Sequence, residues 1–173
     1  MSDPAKSGGL VLDTSVWINL IATDAIEAIL GALAVQCYAP EQVIAEIRRH
    51  PVTGIVFALD KHPLREPSLG IQMVSLQGAE LDLFLEIVGA PAADALGDGE
   101  AAAIAIAVSR GLDLAIDDRK GRRLLRERFT QVQIYWAVDL LRAPQVVNAL
   151  GRSRAHDCFG KAERFGRTHV PRR

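Results

Sequence analysis

The sequence of 173 residues has only two cysteines, Cys37 and Cys158, and no pair in a CxxC spacing. This scarcity argues against a zinc site or a disulfide framework and suits a reducing compartment. We expect Cys37 to be a buried strand residue and Cys158 to be a free thiol. No apolar run approaches the ~18 residues of a membrane span, and residues 1–9 lack the apolar core of a signal peptide. These absences predict a cytoplasmic protein with no membrane partner.

The chain also lacks an excess of either charge, since 20 Lys and Arg residues stand against 21 Asp and Glu residues. This balance gives no long-range attraction to nucleic acid, so any polyanion must be bound by a local patch. Aromatic residues are scarce at 5%, whereas 49% of the residues are hydrophobic. A chain of this length and composition is long enough for one well-buried domain and too short for two comfortable ones.

Short apolar runs alternate with segments of helical periodicity along the chain. GLVLD at 9–13 predicts a strand, and the following TSVWINLIA predicts a helix. Further strands are predicted at 35–38, 71–76, 112–117 and 132–136, and further helices at 24–33, from 40, and at 78–88, 98–109, 119–128 and 138–150. This alternation indicates βαβ units and therefore a mostly parallel sheet with helices on both faces.

The ends of the chain differ in composition from this alternating region. Residues 1–8 are polar and predict a flexible N-terminus, and residues 9–150 form the predicted domain. Residues 151–173 lose the apolar period and carry seven Arg or Lys residues against two acids. We expect them to form a basic C-terminal tail that is loosely ordered unless something docks it.

Six acidic residues mark the ends of these elements: Asp13, Asp117 and Asp118 end predicted strands, whereas Glu46, Asp98 and Glu100 lie on predicted helices. The carboxyl ends of parallel strands share one edge of a sheet, and α/β proteins place their sites at that edge. We therefore expect the strand-ending acids to lie close together, with the helical acids leaning over the same edge.

A cluster of buried carboxylates repels itself unless a cation neutralises it. Oxygen donors without nearby His or Cys favour Mg²⁺ or Mn²⁺ over softer metals. Such an ion can activate a water and stabilise the leaving oxygen of a phosphodiester. The acids therefore indicate metal-assisted cleavage of a nucleic acid.

Five of the six acids also have an ordinary structural explanation, whereas Asp117, at the last position of its strand, is harder to explain in this way. Asp13, Asp98 and Asp118 are suitable helix N-caps. Glu100 complements the dipole of its helix, and Glu46 is typical of a solvated helix face. Their shared placement at one predicted edge favours a site over six separate coincidences.

Three segments, in order, resemble the PIN-domain ribonucleases, especially the VapC-like toxins of type II toxin–antitoxin pairs: LVLDTSVWINL, PEQVIAEI and LGDGEAAAIAIAVSRGLDLAIDDRKGRR. The resemblance covers residues 9–140. It implies a three-layer α/β/α sandwich with a central, mostly parallel sheet, an acidic pocket for Mg²⁺ or Mn²⁺, and endonucleolytic cleavage of RNA. It also implies a small antitoxin as partner and a homodimer.

The resemblance places the family's catalytic acids on Asp13, Glu46, Glu100 and Asp118. Three of them, Asp13, Glu100 and Asp118, would hold the ion directly or through water, with Asp117 as an alternate ligand. Glu46 would orient the attacking water.

Other residues of these segments are expected to support the site. Asp98 becomes a capping or supporting residue. Ile116 stands where the family often has Thr, so hydroxyl support for the metal-bound water is either missing or supplied by Thr14 or Ser15.

Lys120, Arg122 and Arg123 lie within five residues after Asp118. At the start of a helix beside the acids they can contact RNA phosphates and position the strand. The alternative is an ordinary solvated basic face.

Two rival functions come from other classes. One is a catalytically silent PIN-like binding module, acting through a protein partner or self-association, with the exposed apolar part of Trp17, Ile18 and Ile21 as its contact. The other is a receiver-like or phosphatase domain. The latter is disfavoured because DTSVW lacks the second Asp of a DxD nucleophile and no Lys ends a late strand.

Overall fold

A computed structural model of the chain describes residues 8–166. Its centre is a five-stranded, all-parallel sheet in the order β3-β2-β1-β4-β5. The strands are β1 Leu10–Leu12, β2 Cys37–Pro40, β3 Gln72–Val74, β4 Asp113–Ala115 and β5 Ile134–Tyr135. The predicted three-layer α/β/α fold is thereby confirmed, with each strand near its predicted place. The flexible terminus predicted for residues 1–8 lies, apart from residue 8, outside the described residues.

Nine α-helices connect and cover these strands in the described part of the chain: α1 Thr14–Ala22, α2 Ile26–Leu33, α3 Glu41–Glu46, α4 Ala79–Val88, α5 Asp98–Arg110, α6 Arg119–Arg128, α7 Ala137–Leu141, α8 Pro144–Leu150 and α9 Arg152–Phe165. The single helix predicted at 138–150 is two helices, because Pro144 disfavours a helical conformation at Ala143 and begins a new helix itself. No helix within residues 8–166 is by itself long and apolar enough to span a membrane; α1 and α2 pass that test only as a pair bent by 118°.

The central strand β1 is buried on both faces of the sheet. Because successive side chains of a strand point to opposite faces, Leu10 and Leu12 pack in one core cluster with Trp17 of α1. Val11 packs in a second cluster with Ile104 of α5. The first position beyond β1, Asp13, therefore lies at the carboxyl edge of the most buried strand of the sheet.

The predicted loose C-terminal tail is wrong for its larger part, because residues 152–165 form the ordered helix α9. Ala155, Cys158 and Ala162 are buried along one face of this helix, which packs against α1. Small residues at these helical spacings form an apolar face. A count of residue types does not reveal this face, because the segment is rich in Arg. The remaining residues of the predicted tail, 167–173, lie outside the described residues.

The contact surface expected for a binding module is mostly core. Trp17 is fully buried and Ile21 is 4% exposed, so of the three residues only Ile18 reaches the surface in part. Both cysteines are free and buried, as expected. Burial raises the pKa of Cys37 to about 12, which makes its thiol inert.

We predict that Ala162→Asp lowers the free energy of unfolding by about 3 kcal/mol, because it buries a carboxylate without a partner between α9 and α1. Urea unfolding followed by circular dichroism measures this loss. Glu163→Ala, one residue further on the exposed side of α9, should change stability by no more than about 0.5 kcal/mol. Equal stability of the two variants would contradict the docking of α9.

Candidate active site

Asp13 is the centre of the site. It caps the N-terminus of α1, where its Oδ1 accepts a hydrogen bond from the backbone N–H of Val16 at 2.7 Å. The hydroxyl of Ser15 donates to the same carboxylate at 2.8 and 2.9 Å. The pKa of Asp13 is raised to about 8, chiefly by burial and in smaller part by the nearby charges of Asp117 and Glu100, whereas these hydrogen bonds oppose the rise. These three acids are therefore near enough to interact electrostatically, and the gathering of all the predicted acids into one pocket stays a prediction.

Glu46 ties three helices together beside this centre. It is the last residue of α3, and its Oε2 accepts a hydrogen bond from the Thr14 hydroxyl of α1 at 2.5 Å. Its Oε1 accepts from the backbone N–H of Gly99 in α5 at 2.8 Å. The Thr14 hydroxyl thus holds Glu46 and the Ser15 hydroxyl holds Asp13, whereas their support of a metal-bound water stays a prediction.

Two glycines, Gly97 and Gly99, explain the GDGE motif that begins α5. A Cβ atom at residue 97 would collide with Oε2 of Glu100. At residue 99 it would collide with the Thr14 hydroxyl and lie 2.5 Å from Oε2 of Glu46. Sequence reasoning missed these glycines as site residues, although two glycines alternating with acids at a helix start are a readable signal of close approach.

Asp117 lies two residues beyond β4 and is 5% exposed. Its Oδ2 accepts a hydrogen bond from the side-chain amide of Asn19 at 2.9 Å, and its Oδ1 accepts from the backbone N–H of Ala137 at 2.8 Å. These partners fix its position from α1 and from the start of α7. Asn19, fully buried, is a further residue that the sequence analysis did not single out.

Asp118, the next residue, acts as the N-cap of α6. Its Oδ1 accepts from the backbone N–H of Gly121 at 2.8 Å, and its side chain is half-buried. Asp117, and not Asp118, is among the groups with the largest effects on the pKa of Asp13. The role of Asp118 as a ligand stays a prediction. Asp98 is exposed and does not cap α5, because Gly97 occupies that position.

Arg122 is buried and bound to the protein backbone, so it is not available for the contact with RNA that the sequence predicted. Its Nη1 donates to the carbonyl oxygens of Ile116 at 2.9 Å and Tyr135 at 2.8 Å, and its guanidinium lies 3.7 Å from the ring centroid of Trp136. Burial lowers its pKa to about 10, with the nearby charge of Asp117 opposing the shift. The guanidinium thus satisfies two carbonyls at the carboxyl edge of β4 and β5.

The other two predicted RNA contacts, Lys120 and Arg123, are exposed and line a separate groove of about 550 Å³ between α4 and α6. Lys120 donates to the carbonyl oxygens of Ala92 and Ala95, both at 3.4 Å. Arg123 pairs with Asp94 at 2.5 Å. Both cations therefore already have local partners.

The donor set fits a hard divalent cation by its chemistry. Asp13, Glu100 and Asp117 offer carboxylate oxygens only, and their mutual repulsion is the condition that a cation relieves. Within residues 8–166, however, no three Asp, Glu, His or Cys side chains are arranged to hold one metal ion. The residues are of the right type, and their side chains would have to move toward one another to ligate.

A parallel sheet between two helix layers, with carboxylates gathered where β1 and β4 end, defines an α/β/α protein with an acidic site. The chain matches the family model DUF3368, described as a PIN domain, over residues 9–133. It therefore belongs to the PIN-domain family, whose fold is that of a nuclease. The comparison with curated proteins gave no significant match. Solved structures likewise gave none.

We predict that Gly99→Ala destabilises the protein by about 1 to 3 kcal/mol, the range for an overpacked position, because the added methyl enters the space of Thr14 and Glu46. Gly160→Ala is the matched control, since nothing lies within 4 Å of its added Cβ in α9. That variant should gain up to about 1 kcal/mol from helix propensity. Thermal unfolding of both variants measures the difference, and a gain at residue 99 would refute the close approach.

We predict that the stability of the metal-free protein falls with pH because of Asp13. Its folded-state pKa, about 8, lies above that of an unfolded carboxyl, so its stabilising contribution is complete at acid pH and is lost as pH rises through about 8. Asp13→Asn has no proton to lose and keeps an oxygen to accept from Val16. In urea unfolding in EDTA from pH 5 to pH 8.5, the free energy of unfolding of Asp13→Asn should rise relative to that of the wild type as the pH increases. A pH-independent difference between the two proteins would rule out the raised pKa.

Proposed function

We propose that this chain is a divalent-metal-dependent endoribonuclease. One observation carries the proposal: in a PIN domain, the buried carboxyl of Asp13 faces Asp117 and Glu100 where the two central strands end. A water-poor cluster of like charges costs stability, and such a cost is typical of functional sites. The free, buried cysteines agree with the cytoplasmic location that the sequence predicts.

In this proposal Asp13, Glu100 and Asp118 would hold Mg²⁺ or Mn²⁺, with Asp117 beside them. Such an ion would supply a water of lowered pKa and would stabilise charge on the leaving oxygen. Asn19 and the N-terminus of α7 hold Asp117, and Ser15 holds Asp13. These hydrogen bonds orient two of the carboxylates, and the closer approach that ligation needs would accompany metal binding.

Glu46 is held by Thr14 and Gly99 at the same helix start that carries Glu100. Its two hydrogen bonds leave a second lone-pair position on each carboxylate oxygen, so it can accept a hydrogen bond from a water. We assign it the orientation of the attacking water. Burial of the cluster beneath α1 and α5 limits bulk water around the reacting phosphate.

The choice of RNA as substrate, the toxin role, the small antitoxin and the homodimer all rest on the motif resemblance to VapC-like toxins. A silent binding module is the competing function. Its expected contact is weakened because Trp17 and Ile21 are core residues. The cleavage assay below separates the two functions.

We predict that the purified protein cuts RNA with Mg²⁺ or Mn²⁺ and not with EDTA. Asp13→Asn and Asp118→Asn should each lose more than about 100-fold in rate, beyond the usual effect of removing a group that merely supports a metal. A panel of tRNA, rRNA fragments and single-stranded RNA, resolved on denaturing gels, measures the rates and reports the preferred substrate.

Asp157→Asn removes an exposed carboxylate from α9 and is the matched control, which should cut at the wild-type rate. Circular dichroism spectra of all variants confirm that they fold. Undiminished cleavage by Asp13→Asn would exclude the proposed site. Absence of cleavage by the folded wild type with either metal, after removal of any bound antitoxin, would favour the binding module.

A further inference from the structure

A second cavity, of about 520 Å³, opens directly beside Glu46. It lies between the end of α3, the loop that follows, and the C-terminal end of α9. Its wall includes one acid, three basic side chains and several apolar ones, among them Glu46, Arg48, Arg49, His50, Ile18 and Phe165. Through Glu46 the cavity adjoins the acidic cluster, and it shares no described lining residue with the α4–α6 groove of Lys120.

The loop that forms one wall is a small, internally bonded hairpin. Arg49 and Val56 form an antiparallel bridge, and the backbone N–H of His50 donates to the carbonyl of Ile55 at 2.9 Å. The Nδ1 of His50 accepts hydrogen bonds from the backbone N–H groups that follow it. The backbone that carries the arginines is therefore fixed before any ligand binds.

A bridge through Asp24 joins this hairpin to α9. The Nε2 of His50 lies 3.5 Å from Oδ1 of Asp24, and Oδ2 of Asp24 pairs with Lys161 at 2.6 Å. Asp24, with a positive φ of 54°, sits in the turn between α1 and α2. The opposing wall, which ends in Phe165, is thereby anchored to the same turn as the hairpin.

Arg48 and Arg49 are cations whose charge no carboxylate that the structure describes offsets by an ion pair. They differ in this from four cations that pair with carboxylates: Arg110, Arg123, Arg128 and Lys161. Arg48 and Arg49 are exposed and form no ion pair in the described residues. Arg48 donates from Nε to the carbonyl of Ala45 at 3.3 Å, which aims its guanidinium without neutralising it.

We propose that this cavity binds the sugar–phosphate backbone of single-stranded RNA immediately beside the phosphate that is cut. Arg48 and Arg49 contact phosphate oxygens, for which guanidinium has the right geometry. Phe165 is half-buried at the rim, and the Arg164 guanidinium lies 5.0 Å from its ring centroid, so an unstacked base would stack on the other ring face. The proposal rests on the nuclease function above and replaces Arg122 as an RNA contact with a different pair of arginines.

The proposed ligand is single-stranded because the cavity combines contacts to phosphate with a ring on which a base can stack. Phosphate contacts alone would suit any nucleic acid, whereas stacking on a side chain needs a base free of its neighbours. The carboxylate of Glu46, held by Thr14 and Gly99, marks the end of the cavity that adjoins the acidic cluster. The phosphates next to the one that is cut would therefore lie toward the arginines, and the cut phosphate would lie at the Glu46 end.

The test is fluorescence anisotropy of a labelled single-stranded RNA of mixed sequence, in EDTA, with wild type and three variants over a range of salt concentrations. Each phosphate contact to a single strand contributes about 0.7 to the slope of log affinity against log salt. Arg48→Ala/Arg49→Ala should lower that slope by about 1.4 and weaken binding whatever the sequence. Phe165→Leu should weaken binding about 10-fold with an unchanged slope, as expected for one lost stacking contact.

Arg126→Ala/Arg154→Ala removes the same charge from exposed positions of α6 and α9 that do not line the cavity. It should bind RNA as the wild type does. An equal loss in both double variants, no loss in either, or no RNA binding by the wild type would overturn the proposal. Binding that depends on the two arginines, without cleavage at any metal concentration, would support the RNA-binding cavity and refute the nuclease function. Cleavage together with binding that does not depend on Arg48 and Arg49 would support the nuclease function and refute the RNA-binding cavity.

Discussion

The burial of the Asp13 carboxyl is the constraint on which the rest of the site depends. It follows the fully buried central strand and caps the helix beneath it, so the fold cannot move it into solvent. Its pKa of about 8 shows the cost of this position, to which Asp117 and Glu100 add by repulsion. Hydrogen bonds from Val16 and Ser15 offset part of that cost. A cation would offset the rest of that cost. The residue whose burial costs the fold most is therefore also its best candidate for a functional role.

The sequence predicted the layers, the five strands and the convergence of acids, because each depends on local periodicity and on the shared edge of parallel strands. It failed where long-range packing decides. The high arginine content of residues 151–173 hides the three small residues that α9 buries. The burial of Arg122 depends on carbonyl oxygens next to β4 and β5, which only the assembled sheet brings together. The amide of Asn19 reaches Asp117 across 98 residues of chain, a pairing that no local pattern encodes.

Glu46 connects the two parts of the functional account. Through Thr14 and Gly99 it belongs to the acidic cluster, and through the following loop it borders the cavity of Arg48 and Arg49. Opposite charges thus lie next to one another. The acids lie where a metal ion and the cut phosphate would meet, and the arginines lie where the neighbouring phosphates would bind. This division lets a chain with no net excess of positive charge bind a polyanion locally.

Calorimetric titration of Mn²⁺ into the metal-free protein at pH 7, in two buffers of different ionisation enthalpy, tests the central claim most directly. Below its pKa of about 8 the Asp13 carboxyl is mostly protonated, so an ion that binds its charged form must displace a proton. The account predicts Mn²⁺ binding with release of close to one proton in the wild type and loss of this binding in Asp13→Asn. No binding by the wild type, or the same binding without proton release in both proteins, would contradict it.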